Sequence, residues 1–427
     1  MKHSLLTLAL ILSFAGILFG QKTYIHAGSL IDGQNKNIQK EMTLIVEGNQ
    51  IIDIQKGYQS AGASDQLIDL KSYTVMPGFI DLHVHIESQT SKTSYMNRFT
   101  LNEADIAYQA ASYAETTLLA GFTTVRDLGG TGVNIALRKA IDQGIATGPR
   151  IFTAGKSLAV TGGHADPTNG FKKELMGNPG PREGVVNSPE EGRQAVRQRV
   201  KDGADVIKIT ATGGVLSLAK DGSAPQFTIE EIRAITETAA DYGMHVAAHA
   251  HGAEGMKRAI KGGVKTIEHG TFMDDEVIAL MKQYGAYYVP TITAGRTVAD
   301  SAKVEGYYPS IVVPKALAVG PQIQDTFTKA YKAGVKIAFG TDAGVFVHGR
   351  NAIEFQLMVE GGMPAMEAIQ SATKVAAEVL GKEKSLGTLE KGKLADIVAV
   401  KGDPIKNIEL LQAIDFVMKD GKVYKDR

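Results

Sequence analysis

Val75-Met76-Pro77-Gly78-Phe79-Ile80-Asp81-Leu82-His83-Val84-His85 is an apolar run broken by a Pro-Gly turn and ended by two histidines. After the turn it reads as a buried strand. Residues two apart on a strand face the same way, so both imidazoles can reach one metal ion. A pair of core histidines with satisfied hydrogen bonds is the plain alternative. The run decides the fold because it opens a long alternating pattern. From about Val75 to Leu380 strand and helix signals alternate, with strands near Thr123, Arg150, Val206, His245, Thr266, Tyr287 and Lys336. Amphipathic stretches such as Ile229 to Asp241 lie between many of them. This alternation means parallel strands joined by crossover helices. Eight strand candidates, counting the one at Phe79, predict an α/β chain with a closed (β/α)8 TIM-like barrel.

The residues that carry chemistry fall at the carboxyl ends of these strands, where barrel enzymes place their sites. Lys208 stands alone in the apolar strand Val206-Ile207-Lys208-Ile209. A buried ammonium is costly unless it is paired or loses its charge. Its stem could snorkel or a carboxylate could cap it. Desolvation would also lower its pKa, and a neutral amine can add carbon dioxide to become a carbamate able to bridge two metal ions. His245-Val246-Ala247-Ala248-His249 and Thr266-Ile267-Glu268-His269-Gly270 each end a strand with a histidine, and Ile337-Ala338-Phe339-Gly340-Thr341-Asp342 ends one with an acid. Packing alone does not explain such a constellation, which reads as a metal site. Gly129-Gly130-Thr131-Gly132 and Gly213-Gly214 lack a P-loop lysine and read as tight turns after strands.

With these residues the chain resembles the amidohydrolase superfamily over nearly its whole length. The resemblance extends to Gly121-Phe122-Thr123-Thr124-Val125-Arg126-Asp127 and to Gly387-Thr388-Leu389-Glu390-Lys391-Gly392-Lys393-Leu394-Ala395-Asp396-Ile397-Val398. Thr161-Gly162-Gly163-His164, Gly213-Gly214-Val215-Leu216-Ser217, His249-Ala250-His251-Gly252 and Gly340-Thr341-Asp342-Ala343-Gly344 are most similar to the imidazolonepropionase-related branch. That branch includes Xaa-Pro dipeptidases, carboxypeptidase-like enzymes and ochratoxinase-type amidases. The resemblance implies His83, His85 and Asp342 on one divalent ion, His249 and His269 on a second, and carbamylated Lys208 (N6-carboxylysine) between them. Two such ions would lower the pKa of a bridging water from 15.7 to roughly 7, giving a metal-bound hydroxide. Asp342 would be both ligand and catalytic proton shuttle. His164, His251 and Arg350 are candidates for the substrate carboxylate, Arg350 because its planar fork donates two parallel hydrogen bonds. In the relatives that the resemblance points to, a tyrosine near the position of His251 contacts substrate, and this chain departs from that pattern. The implied activity is hydrolysis of the amide bond of dipeptides, Xaa-Pro or others, or of N-acyl amino acids. Alternatives are an imidazolonepropionase-like or other cyclic amide, lactone or ester hydrolase, and a non-catalytic binding protein on the same barrel. The implied partner is a small peptide or amide substrate, and a homo-oligomer is expected.

At 427 residues and 44% hydrophobic content the chain supports one large barrel and a small accessory domain. Formal charge is zero, and removal of Lys2 with the first 20 residues leaves 45 basic against 46 acidic residues. This balance argues against nucleic-acid or polybasic membrane surfaces. With no cysteine, metal must be held by nitrogen and oxygen, which suits zinc without choosing it. Met1-Lys2-His3-Ser4, the apolar run Leu5 to Phe19 and Gly20-Gln21 describe a secretory signal over residues 1–20. The run is short for a membrane span, so a periplasmic or secreted protein without stable membrane insertion is expected. Alternating runs at residues 21–75 and 385–427 predict a small β-sandwich built from both chain ends, with the barrel over 76–384. A long Gly-, Pro- and Asn-rich loop is expected from Asp166 to Pro189, near the site.

Overall fold

In the computed structural model, residues 21–219 and 221–427 are described; the expected signal segment, residues 1–20, lies outside them. The alternating runs at the two chain ends form strands that meet in one sheet. β1 (Lys22–Leu30), β2 (Gln39–Glu47), β3 (Gln50–Lys56) and β4 (Gln66–Pro77) come first; β13 (Ile397–Lys401), β14 (Phe416–Lys419) and β15 (Lys422–Asp426) close the chain. Their order is β15-β14-β13-β4-β1-β2-β3. The two ends pair as expected, but in a seven-stranded mixed sheet and not in a sandwich of two sheets. The cause is β4, whose 12 residues are long enough to template two neighbours. It pairs parallel with β1 from Gln66, opposite Thr23, to Val75, opposite Leu30, and on its other edge antiparallel with β13 from Tyr73 to Pro77, the last opposite Ile397. Alternate residues such as Ile25, Ala27, Leu44, Val46, Ile397 and Ala399 then share one buried cluster.

Eight strands occupy the central part of the chain: β5 (Phe79–Val84), β6 (Phe122–Asp127), β7 (Arg150–Thr153), β8 (Ile207–Thr210), β9 (Val246–Ala250), β10 (Thr266–His269), β11 (Tyr287–Val289) and β12 (Lys336–Ile337). All neighbours are parallel. They form two arcs, β5-β6-β7 and β8 to β12, in place of the expected uninterrupted closure. At the seams only single bridges pair Leu158 with Ile209 and Val84 with Ala343. The second seam has a local reason. β12 stops after two residues because the next segment is drawn to β5 by other bonds: Thr341 donates through N and Oγ1 to the Asp81 carboxylate, and Asp342 N donates to His83 O at 2.7 Å.

Helices cover the outside. Ile229–Asp241, read as amphipathic from the sequence, begins with a capping box in which Thr228 and Glu231 satisfy each other's backbone N–H groups. Phe79, Phe122, Phe339 and Phe355 form one aromatic cluster, with ring centroids 4.4 Å apart for Phe339 and Phe355. The region from Asp166 to Pro189 is mostly turns, with a short helix at Lys173–Met176. Among the described residues no helix is long and apolar enough to cross a membrane.

Candidate metal centre and active site

The strand ends deliver their side chains to one place. His83 lies in β5, one residue before its end, with His85 just after it, Lys208 lies in β8, His249 in β9, His269 ends β10 and Asp342 comes after β12. All line a cavity of about 240 Å³, together with His164 and His251. His83 and His269 rings stand 4.9 Å apart and His249 and His269 rings 4.7 Å apart. Asp342 Oδ1 is 3.3 Å from His85 Nε2 and 3.5 Å from His83 Nε2. His83, His269 and Asp342 offer ligand atoms within 4.8 Å of one another. His269, Thr291 and Asp342 all adopt the left-handed backbone region, with φ of 70°, 52° and 63°. Such strain persists where surrounding bonds impose it, and it gathers at functional sites.

The second nitrogen of each ring shows what the first one can do. His83 Nδ1 donates to Glu268 Oε2 at 2.9 Å and His85 Nδ1 donates to the Gly129 carbonyl at 2.7 Å, leaving both Nε2 atoms toward the cavity. His249 is turned the other way: its Nε2 donates to the Gly213 carbonyl at 3.0 Å, so Nδ1 is the free atom. His269 Nδ1 is held by Thr291 Oγ1 at 2.7 Å. Burial, reinforced by Lys208, lowers the His83 pKa to about 4, and burial pushes His249 and His269 well below the usual imidazole range. These rings are therefore neutral, the form that binds metal. Asp342 Oδ1 is buried with no hydrogen-bond donor. Bare imidazole nitrogens and an unpartnered carboxylate oxygen thus face one another, an arrangement that a divalent cation satisfies.

Lys208 is almost fully buried, with Nζ 3.4 Å from His83 Nε2. Desolvation lowers its pKa to about 8. At neutral pH roughly a tenth of the amine is then uncharged, which is the form that adds carbon dioxide. Beneath it lies a polar layer. Arg126 and Glu268 are both fully buried and pair at 2.9 Å, while Arg126 also donates to the Leu82 carbonyl. Burial alone would raise the Glu268 carboxyl, but Arg126 and His83 outweigh it and hold it at about 2.

The three expected carboxylate readers part company. His164 and His251 line the cavity; the His164 ring stacks on His249 at 4.4 Å and His251 Nδ1 meets Thr271 Oγ1 at 2.8 Å. Burial takes their pKa values to about 3 and about 4, so each offers hydrogen bonds without charge. Gly214 lies against His164, where a Cβ would come within 2.1 Å of the ring. The Gly213-Gly214 pair is thus a close-approach element. Arg350 is exposed and lines a neighbouring groove, not this cavity. Sequence reading passed over Glu268, Arg126 and Thr291. Glu268 carried the same signal as Lys208, an ionisable residue in an apolar strand; Thr291 carried none.

The amidohydrolase family profile matches residues 74–425. The ochratoxinase of Aspergillus niger is 34% identical over 433 residues, spanning 94% of this chain and 86% of that protein. Among solved structures, a Xaa-Pro dipeptidase with methionine bound in its active site superposes with a TM-score of 0.93 at 55% identity, covering 95% of this chain and all of the other. A prolidase complexed with N-methylphosphonate-L-proline superposes at 0.88 with 31% identity and covers 95% of this chain and 100% of its own. The chain belongs to the amidohydrolase family and is a hydrolase of carbon–nitrogen bonds.

Proposed function

We propose that this protein is an exported, metal-dependent hydrolase that cleaves the amide bond of dipeptides, Xaa-Pro among them, or of N-acyl amino acids. The observation that carries the reading is the convergence of histidine ring nitrogens on the donor-less Asp342 Oδ1 within one cavity. Its likeness to a Xaa-Pro dipeptidase and a prolidase supports a peptide substrate. His83, His85 and Asp342 would hold one ion, His249 and His269 another, with Lys208 as its carbamate between them. Divalent ions, zinc in the first instance, supply Lewis acidity that polarises a carbonyl and acidifies water.

The chain's own groups do the rest. Asp342 faces the cavity as an unprotonated carboxylate: burial would raise its pKa, but His83 and His85 outweigh this and keep it low. It can take the proton of the attacking water and return it to the departing amine. His164 and His251 are uncharged hydrogen-bonding groups lining the same cavity and would orient the substrate's polar end. Arg350, one groove away, would reach the carboxylate only of a substrate that extends past Val345, which lines both spaces.

The test is a screen of the zinc-loaded protein against dipeptides and N-acyl amino acids, with elemental analysis alongside. Turnover and about two ions per chain are expected; activity at less than half an equivalent of metal would sink the mechanism. Lys208→Ala should lose metal and turnover together, with partial return on adding short carboxylates. Export predicts that amino-terminal sequencing of the secreted protein begins near Gln21; recovery from cytosol with Met1 in place would overturn it.

A further inference from the structure

Besides the histidines the cavity has a second set of lining residues, a wall of different chemistry. The helices Ile292–Ala302 and Val313–Lys332 supply Ala294, Val298, Val319 and Ile323 to it, and Val215 and Val345 complete it. The two helices touch where Gly295 meets Ile323; a Cβ on Gly295 would lie 2.7 Å from Ile323 Cγ2. This closeness holds the aliphatic side chains in register.

The wall has no charge to offer. Among the described lining residues only the histidines, Lys208 and Asp342 can carry a charge, and none of them belongs to this wall. Lys315, which stands on the second helix, has its ammonium bonded to the carbonyls of Gly214, Ser217 and Ala219. The amino end of the first helix is closed by the Glu354 carboxylate, which accepts from Ile292 N and Thr293 N at 2.8 Å. A charged side chain placed against the wall would lose its hydration and gain no counter-ion. An aliphatic one would exchange water for close-packed contact.

We propose that this wall is a side-chain pocket that selects substrates bearing an uncharged aliphatic side chain of the leucine, isoleucine or valine kind, with Val298 and Val319 setting its depth. The proposal rests on the peptide or N-acyl amino acid reading above. Two dipeptide series test it with the zinc-loaded protein, one varying the first residue (Leu-Pro, Ala-Pro, Asp-Pro, Lys-Pro) and one the second (Ala-Leu, Ala-Ala, Ala-Asp, Ala-Lys). In at least one series kcat/KM should be on the order of tenfold higher for Leu than for Ala, and higher still relative to Asp and Lys. Val319→Phe fills the pocket and should lower the Leu-to-Ala ratio on the order of tenfold. Val298→Ala deepens it and should raise the ratio for Phe over Leu, which keeps the test open if the first variant does not fold. Turnover of both series without side-chain discrimination overturns this proposal alone. No turnover of any member overturns the amide reading and the pocket with it.

Discussion

His83 depends on a residue that never meets substrate. Glu268 fixes its Nδ1 proton, and Arg126 keeps the fully buried Glu268 ionised. Carboxylates that orient ligand histidines are worth roughly 10- to 100-fold in metal affinity. Glu268→Gln keeps the shape and removes the charge, so zinc affinity measured by competition with a chromophoric chelator should fall by about that factor. The same change strands the Arg126 guanidinium and should cost roughly 3 to 5 kcal/mol in urea unfolding of the metal-free protein. An unchanged zinc affinity would mean that the carboxylate does not orient the ring. Asp342→Asn makes the opposite pattern. It removes a carboxylate whose charge His83 and His85 favour in the fold, so metal-free stability should fall only modestly, while turnover drops on the order of 100- to 10,000-fold. A variant that unfolds, or one that retains activity, would contradict the role given to Asp342.

Elements differ in how much of themselves they show in sequence. β5 was legible because a Pro-Gly turn, an apolar run and two spaced histidines agree, and the terminal strands because their alternation is plain. The short strands were not: β12 holds two paired residues, and its continuation is bound through the Asp81 carboxylate, a side-chain device that periodicity cannot show. For the same reason the terminal strands gave pairing but not the number of sheets, since nothing local reveals that β4 serves two partners. The helix Ile292–Ala302 is the hardest case. Its start, Thr291, has a positive φ, and the carboxylate that caps it comes from Glu354, more than 60 residues later. Through this helix Glu354 supports both the Thr291 contact to His269 and the aliphatic wall. Burial raises its pKa to about 7 against the bonds from Thr293 and Ile292 that lower it. Between the ordinary value of 4.5 and about 7 the folded protein therefore holds a proton that the unfolded chain has released. Stability must then fall as pH rises through that window, by up to about 3 kcal/mol for such a shift. Glu354→Gln lacks the titration, and its stability curve over pH 4.5 to 7.5, taken in ~0.5-unit steps by denaturant unfolding, should be flatter than wild type. Parallel curves would show that Glu354 stays ionised in the fold.

At the scale of the whole molecule, the question is what fastens a sheet made from both chain ends to the strands that carry the site. On the amino-terminal side the fastening is covalent, because β4 runs through Gly78 into β5. On the carboxyl-terminal side Val398, Val400, Ile414 and Val417 join the apolar core of the barrel strands, and Arg150 adds a pair of ionic contacts. Arg150 opens β7 and donates to Asp396, just before β13, at 2.7 Å and to Asp420, between β14 and β15, at 2.5 Å. Asp420 in turn donates its backbone N–H to the Asp396 carboxylate at 2.9 Å. The Asp396 side chain is 7% exposed, so removing its cation leaves a buried negative charge; Arg150 at 18% and Asp420 at 39% keep some water. Arg150→Met should therefore cost on the order of 2 to 3 kcal/mol, short of the 3 to 5 of a fully buried pair. Zinc affinity should not change, since Arg150 does not line the cavity. Most of the loss is the stranded acid and not the lost attraction, so Arg150→Met combined with Asp396→Asn should be more stable than Arg150→Met alone. If the double variant is the less stable of the two in urea, a stranded acid is not the source of the loss, and the docking rests on the apolar contacts of Val398, Val400, Ile414 and Val417 with the barrel core.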